Sequence, residues 1–304
     1  MTNLALDEFS VSNTTKIAEA VCRANGWAAN VHLLRLGQNA TYRIQEPSLV
    51  LRVARTTNRE DVTREIEVAR WLAKHDYPAT RVADDIAPDQ PVECAGRFTS
   101  IWEPLEEDSD VKPSMNDLAH LLRKLHALHA PPSLALPAFD PLGRMPERIA
   151  AAPDSVSEAD KEFLVRYAKE LQSAYDGLTF NLASGPIHSD AHPGNVLRAT
   201  NGSRYLVDLE YFANGPREWD LMLPAAYRYG FDWISASEYE SFVSIYGYDV
   251  SRDSCFPVLR AIRELNMTVW IMQNVDHRDD IRIEFEQRVS DLRNPSAERR
   301  WKRF

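Results

Sequence analysis

Three side chains in the stretch GPIHSDAHPGNVLRATNGSRYLVDLEYFANGPREWDL, residues 185–221, stand at a spacing that can handle phosphate. Asp190 follows an apolar strand end and His188-Ser189; Asn195 comes next, and Asp208 lies beyond the Asn201-Gly202 turn and the apolar Tyr205-Leu206-Val207. The pattern is a loop holding one carboxylate, followed by an amide and a second carboxylate on either side of a short hairpin. Two oxygen donors placed in that way can meet one hard cation. Phosphoryl transfer from ATP needs Mg²⁺ to neutralise phosphate charge, a group that takes or aligns the acceptor's proton, and a cation that grips the phosphate chain. Asp190 is the candidate base, Asn195 and Asp208 are the candidate Mg²⁺ ligands, and His188 braces the loop by hydrogen bonding.

Competing readings attach to the same residues. His188, Asp190 and His192 alternate as HxDxH, a pattern found among metal ligands of hydrolases, but no further HxxH or carboxylate ligand accompanies it, and Asn195 and Asp208 would be left without a role. Glu210 stands two residues after Asp208, where it either approaches a second metal through water or faces solvent. His126 and His129 sit beside a Leu121, Leu122, Leu125, Leu128 stripe and read as packing or solvent-edge residues.

At these residues the chain resembles the aminoglycoside phosphotransferase and choline kinase group of protein-kinase-like small-molecule kinases. Their catalytic loop reads HxDxxxxN and is followed by a metal-binding Asp; His188-Ser189-Asp190-Ala191-His192-Pro193-Gly194-Asn195 fits, and Asp208 follows. The resemblance implies a phosphate-gripping cation on the third strand and a partner acid on the next helix, which are Arg52 in LVLRVAR and Glu65 in REIEVARWL. Protein kinases carry Lys at the strand position; Arg keeps the charge and can fork onto two phosphate oxygens. The nucleotide loop LGQNATY has one glycine instead of GxGxxG, and the resemblance assigns phosphate cover to the backbone amides of Gly37, Gln38 and Asn39. TSIWEPLEE resembles the adenine-reading hinge, with Trp102 as a wall; Pro104 has no N–H, so the donor falls to Glu103 or Leu105. Gly215-Pro216-Arg217-Glu218-Trp219-Asp220 resembles a second Asp-containing loop, in which Asp220 braces the catalytic loop.

The elements that must position these groups follow from periodicity. TTKIAEAVCRAN after Asn13 reads as a helix closed by Gly26. VHLLRL (31–36), ATYRI (40–44) and LVLRVA (49–54) read as three antiparallel strands, and Asn58 caps a helix over NREDVTREIEVARWLAKH. RVADDIA (81–87) and RFTSIW (97–102) are expected to complete the sheet. Beyond an acidic, proline-containing connector at 103–112, helical periodicity dominates. The resemblance therefore implies a two-lobed α+β fold of protein-kinase type. An N-lobe, residues 1–104, holds a five-stranded antiparallel sheet plus helix and binds nucleotide; a mostly helical C-lobe, residues 105–304, holds the catalytic loop and acceptor site. ATP and Mg²⁺ are the implied cofactors, lying between the lobes.

The implied activity is γ-phosphoryl transfer from ATP to a hydroxyl of a small molecule. The acceptor classes are an aminoglycoside or other antibiotic, or a metabolic alcohol of choline, homoserine or sugar type. Glu106, Glu107, Asp108, Asp110, Asp232, Glu238 and Glu240 suit a polycationic acceptor, although surface acids are also ordinary solubilising charge. A catalytically inactive nucleotide-binding protein of the same fold is the alternative of a different class. Net charge is −10 over 304 residues, which disfavours nucleic acid and anionic lipid as partners. The three cysteines, Cys22, Cys94 and Cys255, form no pairing scheme. The acidic start MTNLALDEFSVSN lacks the bases of a signal peptide, and a cytoplasmic protein is expected. The basic end SAERRWKRF reads as a solvated tail.

Overall fold

A computed structural model describes residues 9–304; most of the acidic start considered above lies outside them. In chain order the first elements are α1 (Val11–Ala24), β1 (His32–Leu36), β2 (Asn39–Ile44), β3 (Leu49–Ala54), α2 (Arg59–Lys74), β4 (Val92–Cys94) and β5 (Arg97–Trp102). There follow α3 (Met115–Leu125), α4 (Met145–Ala150), α5 (Glu158–Asp176), β6 (Gly185–Ile187), β7 (Val196–Arg198), β8 (Arg204–Leu206) and β9 (Ala213–Gly215). The chain ends with α6 (Glu218–Tyr229), α7 (Ala236–Tyr246), α8 (Phe256–Met272) and α9 (Asp279–Arg293). Two compact units divide it: the first takes residues up to Pro113 with Leu128–Leu136 and Pro193–Phe212, and the second takes the remainder.

The first unit is built on a five-stranded antiparallel sheet in the order β1-β2-β3-β5-β4. Burial alternates along β2 and β3, as a pleat with a covered face requires. Ile17, Ala18, Val21 and Cys22 of α1 join Tyr42, Ile44, Leu49, Leu51, Val53 and Ile101 in its core. Arg52, between the buried Leu51 and Val53, takes the other pleat position and stands in register with Thr41 and Ser100. α2 begins at Asn58, whose side chain accepts from Glu60 N, and buries Glu65 along with Val62, Ile66, Ala69 and Leu72.

One strand falls elsewhere than the sequence suggests. The edge strand is Val92–Cys94, whereas 81–87 makes a single bridge, Val82 to Trp102, and then turns. Asp84-Asp85 breaks the run, and Asp84 pairs with Arg70 of α2 at 2.7 Å, so the segment is drawn to the helix and away from the ladder.

In the second unit α8 is central. Leu259, Ile262, Leu265 and Val269, at helical spacing, are fully buried, and α8 packs against α4, α5, α6 and α9. α3 and α7 each start with a capping box, Ser114 with Asp117 and Ser235 with Glu238, and lie against one another. β6 pairs with β9, and the approach there is close: a Cβ on Gly215 would stand 2.5 Å from Phe139 Cβ.

The basic C-terminus is docked, contrary to the solvated tail that its charge suggests. Trp301 is 3% exposed and donates from Nε1 to Asp291 at 2.7 Å, while Arg299 bonds Glu264 at 3.0 Å. One of its bases, Arg299, finds a buried acid on α8, and Trp301 Nε1 and Lys302 N donate to Asp291 and Glu284 of α9, a match that a local window of sequence does not contain. Among the described residues, no helix is long and apolar enough to cross a membrane.

Candidate active site

The expected residues fall into two constellations, one in each unit. In the first unit, Arg52 forms an ion pair with Glu65 and stands 3.7 Å from Asp208. Burial pulls the Arg52 guanidinium down, but Glu65, Asp208 and Glu210 outweigh it and raise its pKa. Burial likewise pushes the Glu65 carboxyl up to about 7, a rise that Arg52 opposes and Glu210 and Asp208 reinforce. Glu210 is raised by burial and by Asp208. Three carboxylates thus surround one guanidinium, leaving an excess of negative charge.

Asn195 and Asp208 flank the β7–β8 hairpin, and Val207 N donates to Asn195 O at 3.0 Å across its base. Asp208 holds a left-handed backbone, φ 63°, and its buried Oδ1 has no hydrogen-bond partner. A non-glycine residue in that region costs about 1–3 kcal/mol and persists only where its surroundings impose it. The donor chemistry fits Mg²⁺, which is held by one or two protein oxygens while waters and substrate phosphates complete its shell. Among the described residues, no three His, Cys, Asp or Glu gather into an all-protein metal cage.

The glycine loop is tethered to the same region. Asn39 Nδ2 donates to Glu210 Oε2 at 3.1 Å, and Gln38 Nε2 bonds the Tyr211 hydroxyl, so Glu210 faces the loop rather than solvent. Gly37 N donates to Asn39 O at 3.0 Å, which turns the chain between β1 and β2. Trp102 is buried beneath Arg52, whose guanidinium lies 5.5 Å from the ring centroid. Glu103 N already donates to Arg81 O at 2.9 Å, so of the two hinge amides Leu105 is the one free of that bond.

In the second unit, Asp190 accepts from Arg263 Nη2 at 2.7 Å and lies 3.5 Å from His192 Nε2. Burial pushes the Asp190 carboxyl up, but Arg263 and His192 overcome it and hold the group well below the usual carboxylate range. His188 is fully buried, and its Nδ1 accepts from Asp190 N at 3.3 Å; it shapes the loop and does not face solvent. Asp220, at the start of α6, accepts from the backbone N–H groups of His188 at 2.7 Å and Ser189 at 2.9 Å. Ser189 is itself left-handed, φ 70°, and its carbonyl accepts from Trp219 Nε1 at 2.8 Å. His126 Nε2 lies 3.1 Å from Asp220 Oδ2; since a carboxylate only accepts, that nitrogen donates, while Nδ1 lies 2.8 Å from the Tyr246 hydroxyl.

Sequence reasoning misses Arg263, Trp219 and His126 as neighbours of this loop. Trp219 lies inside a motif that was already singled out; Arg263 carries no local signal.

A model of the phosphotransferase enzyme family (APH) matches residues 31–264, and the chain belongs to that family. Its fold is similar to that of the amicoumacin kinase hAmiN, solved in complex with AMP-PNP, Ca²⁺ and Ami: TM-score 0.71, 13% identity, covering 97% of this chain and 98% of that one. A microcompartment-associated aminopropanol kinase is similar at TM-score 0.69 and 18% identity, covering 91% and 94%. Choline kinase LicA from Streptococcus pneumoniae is similar at TM-score 0.63 and 16% identity, covering 91% and 97%. No curated protein matches the chain by sequence. The protein is thus a phosphotransferase of protein-kinase-like fold.

Proposed function

We propose that the protein is an ATP- and Mg²⁺-dependent kinase that moves the γ-phosphoryl group directly to a hydroxyl of a small molecule. The observation that carries this reading is the buried Asp208 Oδ1, which has no hydrogen-bond partner, stands 3.7 Å from Arg52 and lies across one hairpin from Asn195. In this reading Asp208 and Asn195 hold Mg²⁺, which neutralises charge on the phosphates, and Arg52, fixed by Glu65, grips the phosphate chain. Backbone amides of Gln38 and Asn39 cover the phosphates, Gly37 N–H being committed to Asn39 O, which corrects the expectation for Gly37; Leu105 N–H reads adenine, and Trp102 forms a wall.

Asp190 takes the proton of the acceptor hydroxyl. The acceptor oxygen bonds to the γ-phosphorus, the bond to the β–γ bridging oxygen breaks, and ADP leaves with that electron pair. Because Arg263 and His192 keep Asp190 ionised, its main contribution is to align the hydroxyl and receive its proton late. His188 orders the loop. Nucleotide binding belongs to residues 1–104 together with the 195–208 hairpin, and acceptor binding to the remainder of 105–304.

Asp190→Ala is expected to abolish ADP release across a panel of aminoglycosides, nucleosides and amino alcohols, while AMP-PNP binding by calorimetry stays within about twofold. Full turnover in that variant would end the assignment. Wild-type protein that binds AMP-PNP yet transfers phosphate to nothing would favour an inactive nucleotide-binding protein.

A further inference from the structure

The carboxylate assigned as the base sits in a cationic setting. Arg263 projects from α8 to Asp190, and the two side chains are 17% and 31% exposed, so both reach the surface of the unit. A guanidinium carries five N–H donors in a rigid fork. Asp190 takes Nη2, and Nε is buried with no hydrogen-bond partner. Buried, Nε cannot meet a ligand; Nη1, which makes no hydrogen bond among the described residues, is the donor left beside the point at which an acceptor hydroxyl must arrive.

A second cation, Arg303, shares the neighbour Tyr227 with Arg263. The docked C-terminus lays the Arg303 guanidinium 5.6 Å from the Tyr227 ring centroid and 5.0 Å from that of Trp233. Tyr227 lies in the field of Arg263, Arg303 and Asp190 together. Arg303 forms no ion pair among the described residues; its only hydrogen bond there goes to the Trp233 carbonyl.

The nearby acids are committed. Glu264 lies between Arg260 at 2.9 Å and Arg299 at 3.0 Å. Asp232 pairs with Arg228 at 2.9 Å, and Glu238 closes the capping box of α7. Two of the acids that suit a polycationic acceptor therefore have other work.

We propose that Arg263 determines acceptor specificity, with Arg303 as a second cation, and that the acceptor bears an anionic oxygen group, carboxylate or phosphate, close to its reacting hydroxyl. The inference rests on Asp190 being the base. A hydroxyl bonded to Asp190 lies within about 3 Å of the carboxylate that Arg263 grips, so groups a few bonds away fall at about 5 Å from the guanidinium. Asp190 offsets the long-range field of Arg263, so selection comes from contact: a carboxylate or phosphate oxygen that accepts from the guanidinium edge left by Asp190 gains a charge-assisted bond, which strengthens binding on the order of 10- to 100-fold and which an amine cannot make.

The test uses wild-type protein, radiolabelled γ-phosphate ATP, and small molecules from a bacterial extract split into anion-exchange-bound, cation-exchange-bound and unbound fractions, beside a panel of aminoglycosides and amino alcohols. The expected acceptor is in the anion-exchange-bound fraction, and phosphatase treatment beforehand separates a phosphate ester, which is lost, from a carboxylate, which survives. Arg263→Met should raise the acceptor KM about 10- to 100-fold with the KM for ATP within about twofold, and Arg303→Met should raise it less. Transfer confined to cationic or neutral acceptors overturns this inference and leaves the kinase reading standing. An acceptor KM unmoved in both variants does the same. Transfer to nothing overturns the kinase reading, and this inference with it.

Discussion

Removing the Asp220 carboxylate should loosen the catalytic loop without touching nucleotide. Asp220 is 1% exposed, and its two oxygens receive His188 N, Ser189 N and His126 Nε2. In Asp220→Ala all three buried donors lose their acceptor, at about 1–3 kcal/mol each when counted singly. Ser189, held at φ 70°, then keeps about 1–3 kcal/mol of strain with less to hold it there. Such terms overlap, and about 4 kcal/mol is the expected net loss. For a chain of 304 residues that lowers Tm by about 6 °C. Asp220→Asn retains one accepting oxygen and turns an amide toward a donor, so roughly half the loss remains. In steady state, the shifted loop should lower kcat on the order of 100-fold while AMP-PNP binding is retained. The paired readout is calorimetric unfolding and ADP release on the same preparations. An Asp220→Ala protein that melts within about 2 °C of wild type with unchanged kcat would refute the bracing role.

The acid cluster predicts a pH dependence of stability. Glu65 rises from its ordinary 4.5 to about 7 in the folded protein, so the folded state binds the extra proton between those values and stability falls as pH rises through that window. The urea midpoint of metal-free protein should drop between pH 5 and pH 8, and Glu65→Gln should flatten the drop; an identical slope in the variant would exclude Glu65 as its source. Trp301→Ala removes a ring that is 3% exposed and lies 4.8 Å beneath Arg288, and should cost about 3–5 kcal/mol, read as a lower Tm. An unchanged Tm would mean that the C-terminus is not docked in solution.

What the chain determines locally is legible in its letters. The pleat alternation around Arg52, the Asn58 cap of α2, and the short hairpin that separates Asn195 from Asp208 each depend on residues a few positions apart, so spacing and turn chemistry suffice to read them. Four of the five strands and the helical character of the C-terminal half follow from the same periodicities. The 81–87 segment shows where this stops: its apolar letters permit a strand, but Asp84-Asp85 turns the chain and Asp84 pairs with Arg70 of α2 instead of extending the ladder.

The charge environment belongs to tertiary structure alone. The protein has 35 lysines and arginines, and nothing near Arg263 in sequence marks it as the one that reaches Asp190, 73 positions earlier. Arg299 and Trp301 look like solvated ends until Glu264 and Asp291 are placed beneath them. Sequence spacing can name the groups that could do phosphoryl chemistry, because reach along a backbone is short and regular. Which charges surround those groups, and hence which acceptor they favour, depends on distances through space that only the folded packing sets.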